Sequence, residues 1–367
     1  MPGACTNQSP RRGFAVYTFT LLGGLLYLGS VSDRIGRRPI VMAGSLLLAV
    51  SLVIFWWAGS LTMLLVARAL QGLAAGILIP ALSAMMIDFE PSTQPNAAAL
   101  WNTIGPMLGL AAGSLSAAIL LDLAASPAVA VFGILIAAFL LVAATVWSTP
   151  ELVPRVRVLR SDLRPRFTVP RHLRRMLAAG VPAIIAGWAT NGLFLALGAG
   201  LVRTELGGST HTHAGVVIAA FAIVGVLASR LLQQRSARTI SLYATTALAL
   251  GTTLSIGALA LHSYPAYVAA VAIIGSGFGT AFLGVLRTLM PYTATAERAA
   301  VMAVVYTISY MAFGVPTIIA GLLVPQLTLT GTMIVIGSVI VVLSLVATVL
   351  RARIPDRNLP RSREDGS

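Results

Sequence analysis

Long apolar runs separated by short polar gaps dominate this sequence. Each run is close to the roughly 20 residues that an α-helix needs to cross a bilayer core of about 30 Å. Backbone polar groups in lipid must be hydrogen-bonded within their own segment, so each run predicts a helix. The eleven runs comprise residues 14–32, 40–58, 61–87, 97–121, 127–148, 176–202, 212–229, 239–261, 265–290, 299–324 and 328–350. The sequence therefore predicts an all-α polytopic membrane protein with eleven transmembrane helices.

The composition agrees with a membrane location. Hydrophobic residues make up 57% of the chain and charged residues only 10%, whereas soluble domains carry about 25% charged residues. The formal net charge is +14, and such a basic balance can indicate a nucleic-acid partner. Here the basic residues lie in the gaps between apolar runs. We therefore expect the partner of this chain to be the lipid bilayer and not nucleic acid.

No pattern in the sequence indicates catalysis or a bound cofactor. Cys5 is the only cysteine, and the four histidines are scattered, which argues against a metal site. The segment GSGFG at 275–279 lies inside an apolar run with no strand before it, so it does not form a nucleotide-binding loop. We expect no metal, no cofactor and no enzymatic activity.

The arginines predict the orientation in the membrane. They cluster after runs 1, 5, 7 and 9 and in the C-terminal tail, whereas the alternate gaps hold only Arg203. Cytoplasmic loops carry the excess of basic residues, so the arginine-rich gaps are expected in the cytoplasm. The prediction is a multi-pass protein of the cell membrane with Ser367 in the cytoplasm and the N-terminus outside.

A basic, proline-containing gap divides the runs into two groups. The predicted segments are a polar N-terminal segment (1–13), an N-terminal bundle of five helices (14–148), a cytoplasmic linker (149–175), a C-terminal bundle of six helices (176–350) and a cytoplasmic tail (351–367). Transporters are often built from internal repeats, and runs 7–11 repeat runs 1–5 at an offset of about 200 residues. The partner of run 6 would then precede Met1, so the repeat predicts a twelfth helix that this chain lacks.

Three motifs resemble those of the major facilitator superfamily. The turn GSVSDRIGRR matches the family's signature between its second and third helices, with valine in place of one leucine. RALQGLAAG resembles the family's helix-four motif, and GPMLGLAAG resembles the helix-five motif of the drug–proton antiporter branch, with Leu110 where a second glycine is usual. The matching residues are Gly29, Asp33, Arg34, Gly36, Arg37 and Arg38 in the first motif, Arg68 and Gly72 in the second, and Gly105, Pro106 and Gly109 in the third.

The resemblance implies a fold of two pseudo-symmetric helical bundles, with eleven of the usual twelve helices present and the first one missing. It implies alternating access, and we expect a monomer. Asp33 is implied to meet the positive N-terminal end of run 10, near Arg298. Arg37 or Arg38 can pair with Asp88 or Glu90 to form a cytoplasmic latch. The alternative is that the arginines only anchor the turn on the inner side of the membrane.

Few charged residues lie inside the runs. Arg68 is the only charge well inside any run, which makes it a candidate for coupling or substrate binding, and the alternative is that it snorkels to the outer interface. The uncharged cavity candidates are Asn102, Trp188, Asn191, Phe194, Tyr306, Ser309 and Tyr310. Their aromatic character suits an apolar or amphipathic substrate, and the alternative for each is ordinary packing between helices.

The sequence therefore predicts a secondary transporter of the efflux type that moves a small apolar or amphipathic molecule. No nucleotide-binding loop is present to supply ATP, and proton coupling is a hypothesis because no Asp or Glu lies inside any run. The alternative is a transport-inactive membrane protein produced by truncation or by a misplaced start codon.

Overall fold

Helices form most of the described part of each of the eleven apolar runs. The computed structural model describes residues 9–29, 31–91, 93, 97–151, 170–289, 292–293 and 295–353. The helices are α1 (Ser9–Gly23), continued by the π-helical segment Gly24–Leu28, α2 (Ser32–Ile35), α3 (Arg37–Trp56), α4 (Leu61–Asp88), α5 (Ala97–Leu123), α6 (Pro127–Ser148), α7 (Arg174–Thr204), α8 (His211–Leu232), α9 (Ala237–Ala260), α10 (Tyr264–Leu289) and α11 (Thr295–Arg353). The predicted all-α fold of a polytopic membrane protein is confirmed.

Nine helices of the described segments are long and apolar enough to cross a membrane, judged by length and composition alone. One of them, α11, contains both of the last two apolar runs and is interrupted at Thr328, where φ is 66° and ψ is 175°. The first run is a shorter apolar helix, Gly13–Leu28. Ser60 and Ser236 accept hydrogen bonds from the backbone three residues on and thereby cap the N-termini of α4 and α9.

The chain divides into two compact units. The first comprises Met1–Asn102 and Leu123–Phe167, and the second comprises Thr103–Asp122 and Thr168–Ser367, as far as these ranges are described. Most of α5 therefore groups with the C-terminal helices. The predicted linker, 149–175, lies largely outside the described residues, and the predicted bundle boundaries stay a prediction.

In the first unit, α4 packs against both α1 and α3, and α6 packs against α3. Its core contains Val41, Leu48, Ala74, Leu78 and Val146. In the second unit, α10 packs against α8 and α9, and α11 packs against α7 and α9. Fully buried side chains there include Leu193, Leu248, Tyr267, Ile274 and Met333.

Candidate functional site

The charged turn between α1 and α3 is closed by a carboxylate from beyond α6. Gly36 has φ 109° and ψ 155°, a conformation that residues with a side chain rarely adopt. The backbone N–H groups of Arg37 and Arg38 donate to the two oxygens of Glu151, at 3.1 and 3.0 Å. A Cβ on Gly36 would collide with that carboxylate. Glu151 therefore caps the N-terminus of α3, where the helix dipole favours negative charge.

The Arg37 side chain joins the turn to the end of α4. Its Nε donates to Asp88 Oδ2 at 3.0 Å, and its Nη1 donates to Ser32 Oγ at 2.9 Å. Arg38 instead lies over the ring of Trp147, with its guanidinium carbon 5.1 Å from the ring centroid. The turn thus makes one of the arginine–acid pairs that the sequence suggests.

Three further residues of the first motif lie in the rest of the turn. Gly29 ends the π-helical segment, and its N–H donates to the carbonyl of Leu25 at 3.2 Å. Asp33 and Arg34 both lie in the short helix α2. The predicted contact of Asp33 with the N-terminus of run 10 falls outside the described side chains and stays a prediction.

Glu151 was missed by the sequence analysis. It lies at the start of the predicted linker, a segment characterised by its arginines and prolines. The available signal was its position as the first acid after run 5, because capping acids lie close to the ends of helices. Sequence spacing alone could not show that this acid returns to α3.

Arg68 is held within the first unit by two neighbours on different helices. Its Nη1 donates to Gln71 Oε1 at 2.9 Å, and its guanidinium carbon lies 4.9 Å from the centroid of the Phe55 ring. One turn further along α4, a Cβ on Gly72 would collide with the Thr20 hydroxyl and the Tyr17 carbonyl of α1. Gly72 thus permits the close approach of α1 and α4, which is the usual role of small residues between membrane helices.

The glycines of the helix-five motif make no close contact with other residues that the structure describes. A Cβ on either Gly105 or Gly109 would meet no atom within 4 Å, and Pro106 is exposed. Asn102, one turn before the motif, donates from Nδ2 to the Ser83 carbonyl of α4 at 3.4 Å. That bond joins α5 to α4.

Trp188 of α7 and the two predicted tyrosines of α11 meet in one cluster of the second unit. The Trp188 ring lies 5.2 Å from Tyr310, 5.7 Å from Phe278 and 6.4 Å from Phe282, measured between ring centroids. Tyr306 extends the cluster, 5.7 Å from Phe282. Such separations are typical of favourable aromatic pairs.

Ser309 lies on α11 between the two tyrosines of this cluster and is fully buried. Its hydroxyl has no hydrogen-bond partner within the described part of the chain, and the same is true of the Trp188 Nε1. The cluster therefore contains two buried polar groups whose hydrogen-bonding capacity is not used by described residues.

Asn191 and Phe194 face a separate cavity in the same unit. It is a shallow recess with a volume of about 20 Å³, room for about one water molecule. Its walls come from α7, α8 and α10 and comprise Asn191, Phe194, Leu195, Gly198, Ala214, Val217, Ile218, Phe221 and Val271. Phe221 connects cavity and cluster, since its ring lies 5.4 Å from Phe278.

The sequence placed Trp188, Asn191 and Phe194 on one helix face, and the structure divides that face between the cluster and the cavity. The α8 wall was missed because nothing in its sequence distinguishes Val217 or Phe221 from residues that face lipid or the core.

A family model described as "Major Facilitator Superfamily" matches residues 13–315. The chain belongs to the major facilitator superfamily. The match covers all three motifs and includes parts of both compact units. Members of this superfamily are transporters and not enzymes, and their fold places this chain in a membrane with multiple spans.

Among curated proteins, the chain is similar over short segments to multidrug transporters of the superfamily. It is 45% identical over 65 residues to the multidrug resistance protein MdtL of Shewanella oneidensis, covering 17% of this chain and 16% of that protein. It is 38% identical over 63 residues to MdtL of Escherichia coli, covering 17% and 16%. It is also 38% identical over 60 residues to the multidrug transporter mfsB of Aspergillus fumigatus, covering 16% and 10%. The matches thus span about a sixth or less of each relative.

Proposed function

We propose that this chain is a secondary transporter that exports a small apolar or amphipathic molecule across the cell membrane by alternating access. The observation that carries the proposal is the aromatic cluster around Trp188 together with the adjoining cavity. Both are lined by rings and aliphatic groups, with isolated polar groups and no charge among the described lining residues. Ligand sites of this composition bind by burial of apolar surface and use a few polar groups for orientation. The names of the multidrug relatives support the same substrate class.

The charged turn is proposed to act as the cytoplasmic latch of this transporter. The Arg37–Asp88 pair and the Glu151 cap fix the geometry of α3 relative to α4 and α6. Anchoring by positive charge explains the arginines, but it does not explain a strained glycine packed against a capping carboxylate. Asp33 would complete the latch by meeting the N-terminus of run 10 in the outward-facing state.

Proton coupling is proposed as the energy source. None of the eleven apolar runs contains Asp or Glu. Asp33, at the rim of the first run, is the carboxylate of this chain that we propose for the coupling role.

Dye efflux from cells tests the proposed transport. Bacteria that lack their main exporters are loaded with Nile red, an apolar fluorescent dye, and re-energised with glucose. We expect cells with the wild-type chain to lose the dye faster than cells without it, and Trp188→Ala to reduce that difference at least several-fold. Trp57→Ala is the matched control, because Trp57 is 70% exposed and distant in sequence from the cluster. If cells with and without the wild-type chain lose the dye at the same rate although the folded protein is present in the membrane, the proposal is contradicted and the transport-inactive alternative is favoured.

A further inference from the structure

Three exposed arginines lie at one end of the second unit, the end that the arginine distribution predicts to be cytoplasmic. Arg230 lies in the last turn of α8 and Arg287 in the last turn of α10, and Arg235 lies between α8 and α9. The Arg287 Nη1 donates to the Arg235 carbonyl at 3.1 Å. Helices α8 and α10 also pack against each other. The three guanidinium groups therefore share one end of the α8–α10 pair.

No acidic side chain that the structure describes neutralises these arginines. The side chains of Arg230 and Arg235 make no hydrogen bond or ion pair with described residues, and that of Arg287 donates only to the carbonyl. The described acids of the second unit, Asp122 and Glu205, lie at its opposite end, where α5 and α7 end. Like charges that lie close together repel, so a bound anion would relieve the repulsion.

Exposed aliphatic side chains adjoin these arginines on α8. Leu231 follows Arg230 and is 78% exposed, and Leu227, one turn earlier on the same helix face, is 54% exposed. In a membrane such side chains contact acyl chains, which are as apolar as leucine. A partner that matches both features has an anionic head and a hydrocarbon tail, whereas a free anion would contact only the arginines.

We propose that Arg230, Arg235 and Arg287 form a site for the headgroup of an anionic phospholipid, whose acyl chains lie against Leu227 and Leu231. The guanidinium fork matches the geometry of phosphate oxygens, and basic clusters beside membrane helices attract anionic headgroups. If the arginines only anchored the helix ends, other exposed arginines at the same end of the unit would attract lipid equally well. The lipid site is independent of transport, and its occupancy can be measured without it.

Binding of fluorescent phospholipids to the detergent-purified full chain, followed by anisotropy, tests the site. The probes are phosphatidylglycerol and phosphatidylcholine with identical labelled acyl chains, so that only the headgroup differs. We expect phosphatidylglycerol to bind about fivefold more tightly, the factor that one basic residue beside an anionic surface supplies. Added salt should reduce this preference, because it screens exposed charges. Inorganic phosphate should displace no more labelled lipid than chloride does at the same ionic strength.

Removal of single charges distinguishes a site from general attraction to a basic surface. Arg230→Gln should lower the preference about two- to fivefold without disturbing the fold, and substitution of all three arginines by glutamine should abolish it. Arg353→Gln is the matched control and should leave the preference unchanged. Arg353 is also exposed and has no partner among the described residues, and the hydrogen bond from Arg238 to the Ala352 carbonyl places it at the same end of the unit.

Three results would overturn the lipid site. The first is equal binding of the two phospholipids to the wild-type chain. The second is an equal loss of preference in Arg230→Gln and Arg353→Gln, which would indicate attraction to the whole basic surface. The third is displacement of the labelled lipid by inorganic phosphate beyond the effect of chloride, which would indicate a site for free anions.

Discussion

Arg68 shows how a single residue can be located from sequence while its environment cannot. The sequence identifies it as the only charge well inside an apolar run. The structure adds that its neighbours are an amide and a ring, Gln71 and Phe55. Gln71 lies three residues further along the same helix and could be anticipated from helical spacing, whereas Phe55 belongs to a different helix and could not.

Substitution of Arg68 distinguishes a transport role from snorkelling. If the guanidinium serves transport, Arg68→Ala should abolish Nile red efflux, and Arg68→Lys should rescue it poorly because lysine lacks the planar fork of donors. Arg203→Ala is the control, since Arg203 is exposed at the end of α7. Size-exclusion profiles of the detergent-extracted variants verify that each protein is folded. Near-normal efflux in both Arg68 variants would show that the side chain only extends its charge to the membrane interface and has no role in transport.

The helices were the most predictable part of this fold. Backbone polar groups in a membrane must be hydrogen-bonded within their own segment, so every apolar run is expected to be helical. The sequence could not predict which groups accept hydrogen bonds from the unpaired backbone N–H groups at a helix end. The α3 N-terminus is capped by Glu151 from more than a hundred positions away. The gap predicted between the last two runs is an interruption at Thr328 within α11. Such features depend on which segments meet in space.

Removal of the Glu151 carboxylate should weaken the first unit. Glu151→Ala deletes both hydrogen bonds to the α3 N-terminus, and loss of an N-terminal cap costs about 0.5–2 kcal/mol. We expect a lower midpoint of thermal unfolding in detergent, with Glu151→Gln intermediate because it retains an acceptor but loses the charge.

The control for this prediction is an acidic residue at the C-terminal end of a helix. Glu205 is the C-terminal cap residue of α7, where the helix dipole disfavours negative charge. Glu205→Gln should therefore leave the midpoint unchanged or raise it slightly. A Glu151→Ala midpoint equal to that of the wild type would show that the cap does not stabilise the turn.

At the scale of the whole molecule, membership of the superfamily and the helical content could be predicted from sequence because three motifs and eleven runs occur in the right order. The predicted division into bundles of five and six helices stays a prediction. In the structure, α5 from Thr103 to Asp122 groups with the second unit. Asp122 explains part of this, since its two oxygens accept from the backbone N–H groups of His211 and Thr212 at the start of α8, at 2.9 and 2.8 Å. A capping contact of this kind leaves no periodic signal in the sequence.

The orientation of the whole chain is a final prediction, and it follows from charge alone. The arginine-rich gaps and tail should lie in the cytoplasm, because basic residues flanking membrane spans are retained there. With an odd number of spans, the two termini must then lie on opposite faces, Ser367 inside and the N-terminus outside. A reporter that fluoresces only in the cytoplasm, fused separately to each end, should be bright at the C-terminus and dark at the N-terminus. A reporter in the gap after run 5 is the internal control and should be bright. Two bright termini would contradict either the count of eleven spans or the orientation, and a dark control would identify the orientation as the error.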